Sequence, residues 1–127
     1  MSQSQPRERT FKAAADLSSY QYHFVYLTAD QTVNVAGANA KTVGILQNKP
    51  SAAGEAAVVA MPGGTSKLIA GEAIAVTKMV TAKSDGHGEV ADAAGEFVGA
   101  MALEAATAAN DIIEVEVCAF TAHASDA

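Results

Sequence analysis

The sequence predicts an all-β domain: a small barrel or sandwich built from an internal duplication, with an extended N-terminal arm and at most one or two short helical turns. Three observations carry this. Asp30 to Leu46 lies without a gap over Asp85 to Met101, with identities at Asp30/Asp85, Val35/Val90, Ala36/Ala91, Ala38/Ala93, Val43/Val98 and Gly44/Gly99; chance in an alanine-rich chain gives about two. Apolar residues alternate with polar ones at the strand period of two. Turn signals such as Pro62-Gly63-Gly64 and Ser84-Asp85-Gly86-His87-Gly88 punctuate the chain at short-strand spacing. A half-length unit that cannot bury its own apolar face needs its twin, so the copies are expected to close on each other through a pseudo-two-fold relation.

Each element follows in order. Residues 1–16 read as a polar arm with mixed charge, one large apolar residue, Phe11, and no copy in the second half. Residues 17–121 form the single β domain, with halves of about 17–66 and 67–121, and 122–127 is a loose tail. Tyr20 to Leu27 places Tyr20, Tyr22, Phe24 and Tyr26 on one strand face. Thr32–Ala36 and Thr42–Gln47 follow, Pro50 and Gly54 break the chain, and Ala56–Met61 is the fourth strand. The second half repeats this through Ala73–Thr81, Val90, Phe97–Met101 and Ile112–Phe120. In that last strand Ile113, Val115, Val117 and Ala119 face inward, with Glu114, Glu116 and Cys118 outward. Leu103 to Ala109 has helical composition ended by Asn110, and predicts a short helical turn or two.

Composition limits function. A net charge of −6 and a pI near 4.8 argue against binding nucleic acid, which needs a basic face. No run reaches the roughly 20 apolar residues of a membrane span, and the first residues lack the apolar core of a signal peptide. A soluble protein made in a cytoplasm is the expectation. The lone Cys118 excludes an internal disulfide and a cysteine metal cluster. The apolar half of the chain is mostly Ala and Val, with no Trp and seven aromatics, so a partner surface is expected to add to stability.

Catalytic patterns are missing. His23, His87 and His123 have no metal or dyad spacing. Pro62-Gly-Gly-Thr-Ser-Lys67 lacks the glycine and hydroxyl of a phosphate loop. Cys118, on the same strand face as Glu114 and Glu116, is a poor nucleophile. No enzyme activity, metal or cofactor is expected. Val76-Thr-Lys78-Met79-Val80 resembles the lysine hairpin of biotinyl and lipoyl carrier domains, but Lys78 falls inside an alternating strand pattern instead of at a hairpin tip.

Val43-Gly-Ile-Leu-Gln-Asn48, Ala52-Ala-Gly-Glu-Ala-Ala-Val58, Gly71-Glu-Ala-Ile74, Asp85-Gly-His-Gly-Glu-Val90, Val98-Gly-Ala-Met-Ala-Leu-Glu-Ala-Ala106 and Ile112-Ile-Glu-Val-Glu-Val117 resemble the capsid cement, or head-decoration, proteins of tailed bacteriophages. The resemblance covers roughly Tyr20 to Val117 and implies a β-tulip-like barrel on the outer surface of a phage head, typically a homotrimer, binding the major capsid protein. Under this reading Arg7, Arg9, Phe11 and Lys12 form a capsid-binding arm whose removal leaves the barrel's melting nearly unchanged, the alternative being an arm folded back on its own barrel. Tyr20, Tyr22 and Tyr26 form the oligomer interface, with packing in the chain's own core as the alternative for that row. A glycan-binding fibre or spike-base protein would use the same β framework.

Overall fold

The computed structural model describes residues 7–93 and 95–121; the expected tail at 122–127 lies outside them, as does His123. Ten strands form two five-stranded lobes, and no helix occurs among the described residues. The first lobe contains β1 (Glu8–Ala13), β2 (Phe24–Ala29), β3 (Thr32–Val35), β4 (Gly44–Leu46) and β5 (Ala56–Ala60), in a closed barrel of order β1-β3-β2-β4-β5. The second contains β6 (Thr65–Ile69), β7 (Met79–Ala82), β8 (Gly88–Val90), β9 (Phe97–Ala102) and β10 (Ile112–Thr121), in the order β6-β10-β9-β7-β8.

These are one circuit drawn twice, with β1 matching β6 and so on to β5 matching β10. Even the turns are copied. Gly54 donates its N–H to the Ala13 carbonyl at 2.8 Å, and Asn110 donates to Ala70 at 2.7 Å. Both turn residues have positive φ, 87° and 77°, the left-handed region that Gly and Asn tolerate best. Beside them, Glu55 accepts from the Ser51 N–H and hydroxyl as Asp111 accepts from those of Thr107. The barrel interiors match as well: Phe11/Leu68, Leu17/Ile74, Val25/Val80, Leu46/Ala102, Ala57/Ile113 and Val59/Val115 are all buried. Volume is conserved across positions instead of at each one, as close packing requires. Leu46 with Ala57 becomes Ala102 with Ile113. Val33 becomes Gly88, where an added Cβ would come within 2.7 Å of Leu68 and 2.8 Å of Val80.

Several expectations need correction. Residues 8–13 are not an outlying arm. They form β1, which closes the barrel against β5 and β3 and buries Phe11 in the chain's own core. The first half therefore begins at β1, and its copy is β6. Leu103–Ala109 is not helical, because Ile74 and Ala106 exchange backbone hydrogen bonds at 2.9 and 2.8 Å and hold this segment as the counterpart of Gln47–Ala53. The ungapped alignment is one residue out of register at its end. Val25 pairs with Gly44 and Val80 with Ala100, and Leu46 pairs with Val59 and Ala102 with Val115. Gly44 therefore matches Ala100 and Leu46 matches Ala102, and the identities Val43/Val98 and Gly44/Gly99 are not equivalent positions. Ala119 is exposed and Cys118 half-buried, because a register shift between Val117 and Phe120 breaks the alternation there.

The lobes are joined asymmetrically. In the first barrel the Lys12 N–H donates to the Gln31 carbonyl at 2.7 Å, next to the parallel pairs Lys12/Thr32 and Ala13/Val33. In the second lobe that seam is open, and only the bridge Ala70/Gly88 survives. The ribbon Tyr22-His23-Phe24 of the first lobe fills it. Ile69, the match of Lys12, donates to the Tyr22 carbonyl at 3.0 Å, and Phe24 donates at 2.8 Å to the carbonyl of Gly86, the match of Gln31. The reciprocal contact, Thr77 to Met79 on the first-lobe seam, is not made, so the expected pseudo-two-fold gives way to a head-to-tail packing. Phe24, Ala36, Ile45 and Ala60 join the second-lobe interior in one shared core.

Candidate interaction surface

The inter-lobe ribbon brings together residues that sequence spacing left apart. His23 is buried and its ring packs against His87, with centroids 4.6 Å apart and the planes tilted by 53°; Tyr20 meets His23 edge-on at 5.2 Å. His87 Nδ1 lies 3.4 Å from Asp85. Burial, chiefly, holds the His23 imidazole below its ordinary pKa, and nearby His87 adds to this against the carbonyls of Gln21 and Tyr20 and the charge of Asp85. Gly86 makes the approach possible: a Cβ there would sit 2.6 Å from Val35 and 3.3 Å from His23. No linear pattern signals this pair. It follows from which side of the duplication carries glycine at the seam.

The proposed interface tyrosines do not form one row. Tyr20 and Tyr22 precede β2 in turns, Tyr22 with φ 66°, and only Tyr26 lies in the strand. All three are half-buried, Tyr20 against the first barrel core and Tyr26 against the shared core.

The basic residues do gather. Arg9 lies over the Phe11 ring at 5.3 Å and donates to Gln31 at 3.2 Å, while Arg7 packs over the Gly63–Gly64 turn and accepts from the Met61 N–H at 2.6 Å. A cleft of about 520 Å³ is lined by Arg7, Glu8, Arg9, Met61 and Pro62; a second of about 300 Å³, by Thr10, Phe11, Lys12, Gln31, Gly54 and Ala56. Phe11 itself is spent on the barrel interior and cannot anchor a partner without opening it.

The second lobe is the acidic one. Residues 65–121 carry nine acidic and three basic side chains, against four and five in 7–60. Burial and the neighbouring Glu72 and Glu96 raise the Glu89 pKa. A cleft of about 520 Å³ is lined by Thr65, Ser66, Lys67, Glu104, Ile112 and Glu114. Cys118 packs beside Ala91 and Val98; burial first, and Glu116 second, push its thiol up to about 11. Among the described residues no three potential metal ligands converge, and no helix is long and apolar enough to cross a membrane. Lys78 is exposed in the turn before β7 rather than within a strand.

No family model matches the chain, and no curated protein matches it. Among solved structures it is similar to the head fiber gp8.5 N base of bacteriophage phi29, with a TM-score of 0.65 and 21% identity over 89% of this chain and 94% of that one. The two share a fold over nearly their whole lengths.

Proposed function

We propose that the chain is a non-catalytic structural protein of a tailed-phage virion, seated on the outer surface of the head through the major capsid protein. The observation that carries this reading is the two-lobed fold, shared almost end to end with a head-fibre base. It agrees with the sequence resemblance to head-decoration proteins. An acidic second lobe beside a basic strand provides the polarity a seated module needs, and electrostatic complementarity sets its orientation and on-rate. Two modes belong to this reading, and self-association as a homotrimer fits both. As a cement, the protein clamps neighbouring capsid subunits; as a fibre base, it attaches without strengthening the shell. The similarity to a fibre base favours the second.

The test is add-back. Purified protein mixed with heads that lack it is expected to co-sediment with them saturably, and to do so less as salt rises. Heads loaded with a clamp hold their DNA to a higher temperature, and heads loaded with a fibre base melt unchanged. Absence of saturable head binding overturns the proposal, as does saturable glycan binding in its place.

A further inference from the structure

The head-to-tail packing of the lobes leaves one copy of each half of the contact unused. The ribbon Tyr22-His23-Phe24 enters the second-lobe seam between Ile69 and Gly86. Its equivalent, Thr77-Lys78-Met79, is presented by the second lobe: Thr77 has φ 70° against 66° for Tyr22, and Thr77 donates to Ala102 at 2.8 Å as Tyr22 donates to Leu46 at 2.7 Å. Thr77 and Lys78 are exposed and Met79 is half-buried. The equivalent of the seam lies in the first lobe between Lys12 and Gln31, beside the 300 Å³ cleft lined by both.

We propose that a second copy of this chain docks its Thr77–Met79 ribbon on the Lys12–Gln31 seam, so that copies associate head to tail by repeating the contact that joins the two lobes. The inference rests on the duplication and on the charges at the seam, and stands apart from the capsid reading. One backbone bond, Lys12 N–H to Gln31, is exchanged for two: Lys12 donates to the incoming Thr77 carbonyl and the incoming Met79 N–H donates to Gln31.

Charge complementarity supports this occupant. Within the chain, His23 meets His87 beside Asp85. The equivalent residues are Lys78 on the ribbon, and Thr32 and Asp30 at the seam, so repeating the contact sets Lys78 beside an opposite charge. The more basic first lobe would also face the acidic second lobe of its neighbour. One substitution makes the repeated contact weaker than the internal one. Gln31, at φ 54°, stands where Gly86 makes room for Val35; its Cβ must give way to Val90 of the incoming copy. Such a heterologous contact closes into a ring or extends as a filament according to its rotation.

The experiment is sedimentation velocity and mass photometry of the full chain over a concentration series, with melting curves to show that each variant is folded. Wild type is expected to associate with rising concentration. Asp30→Lys and Lys78→Asp should each weaken this about tenfold, since each sets like charges together, and the double variant should recover most of the loss. Gln31→Gly should tighten it. In a mixture of isotopically light and heavy chains, carbodiimide should join Lys78 to Asp30 between copies. Wild type monomeric at all concentrations, single charge variants that associate normally, or a double variant as weak as the singles while melting like wild type would each overturn the proposal.

Discussion

Thr81 shows how the duplication loads single positions differently. It matches Tyr26, which reaches the surface, yet it is fully buried, and its hydroxyl has no hydrogen-bond partner among the described residues. A buried, unpaired hydroxyl costs about 1–3 kcal/mol. Thr81→Val keeps the shape and removes the orphan oxygen. Its expected effect is a stabilisation of about 1 kcal/mol, read from the midpoint of a denaturant titration with unchanged slope. A loss of stability would mean that the hydroxyl has a partner, such as a buried water. The glycines make the complementary point. Gly44 faces the Ala60 carbonyl so closely that no Cβ fits, and at Gly88 a side chain would displace Leu68, so these positions are set by contact and not by backbone freedom.

At the scale of strands, the sequence reveals what alternates with large apolar residues and hides what does not. β10 is legible because Ile113, Val115 and Val117 alternate with Glu114 and Glu116. β1 and β6 are not, and they are the same strand of the repeat. Each offers its barrel a single large side chain, Phe11 or Leu68, with Ala or Ser at the other inward positions and Lys or Thr facing solvent. That weak pattern reads as an arm. The inter-lobe pair His23–His87 was illegible for a different reason: it depends on a seam that opens in one copy only. Because β1 is part of the barrel, deleting residues 2–15 should not leave melting unchanged. Loss of a buried Phe alone costs about 3–5 kcal/mol, a large part of the roughly 5–15 kcal/mol that holds a domain. The truncated chain should melt at least about 10 °C lower or fail to fold. A melting temperature equal to that of the full chain would remove β1 from the fold's stabilising elements.

For the whole molecule, the seam histidine couples lobe docking to pH. Burial holds His23 below its ordinary value of 6.5, so the folded chain disfavours the proton that the unfolded chain accepts. Stability is therefore complete above pH 6.5 and declines as pH falls through 6.5 towards the lower folded value. Asp16 and Asp111, whose pKa values are lowered by hydrogen bonds from Ser18 and Thr107, shift stability in the same direction, but only below the carboxylate range, so the two effects separate on the pH axis. The melting temperature should be flat from about pH 8 to 7 and fall below about 6.5, and His23→Gln should remove most of that fall. Because His23 lies at the junction, the lobes should loosen from each other before either one unfolds. The Phe24 and Ile69 amides, both donated across the seam, should lose hydrogen-exchange protection at about pH 5.5 after correction for intrinsic rates, while the Val59 amide inside the first barrel keeps its own. Equal loss at all three would assign the transition to global unfolding, and a pH slope that survives in His23→Gln would assign it to another group.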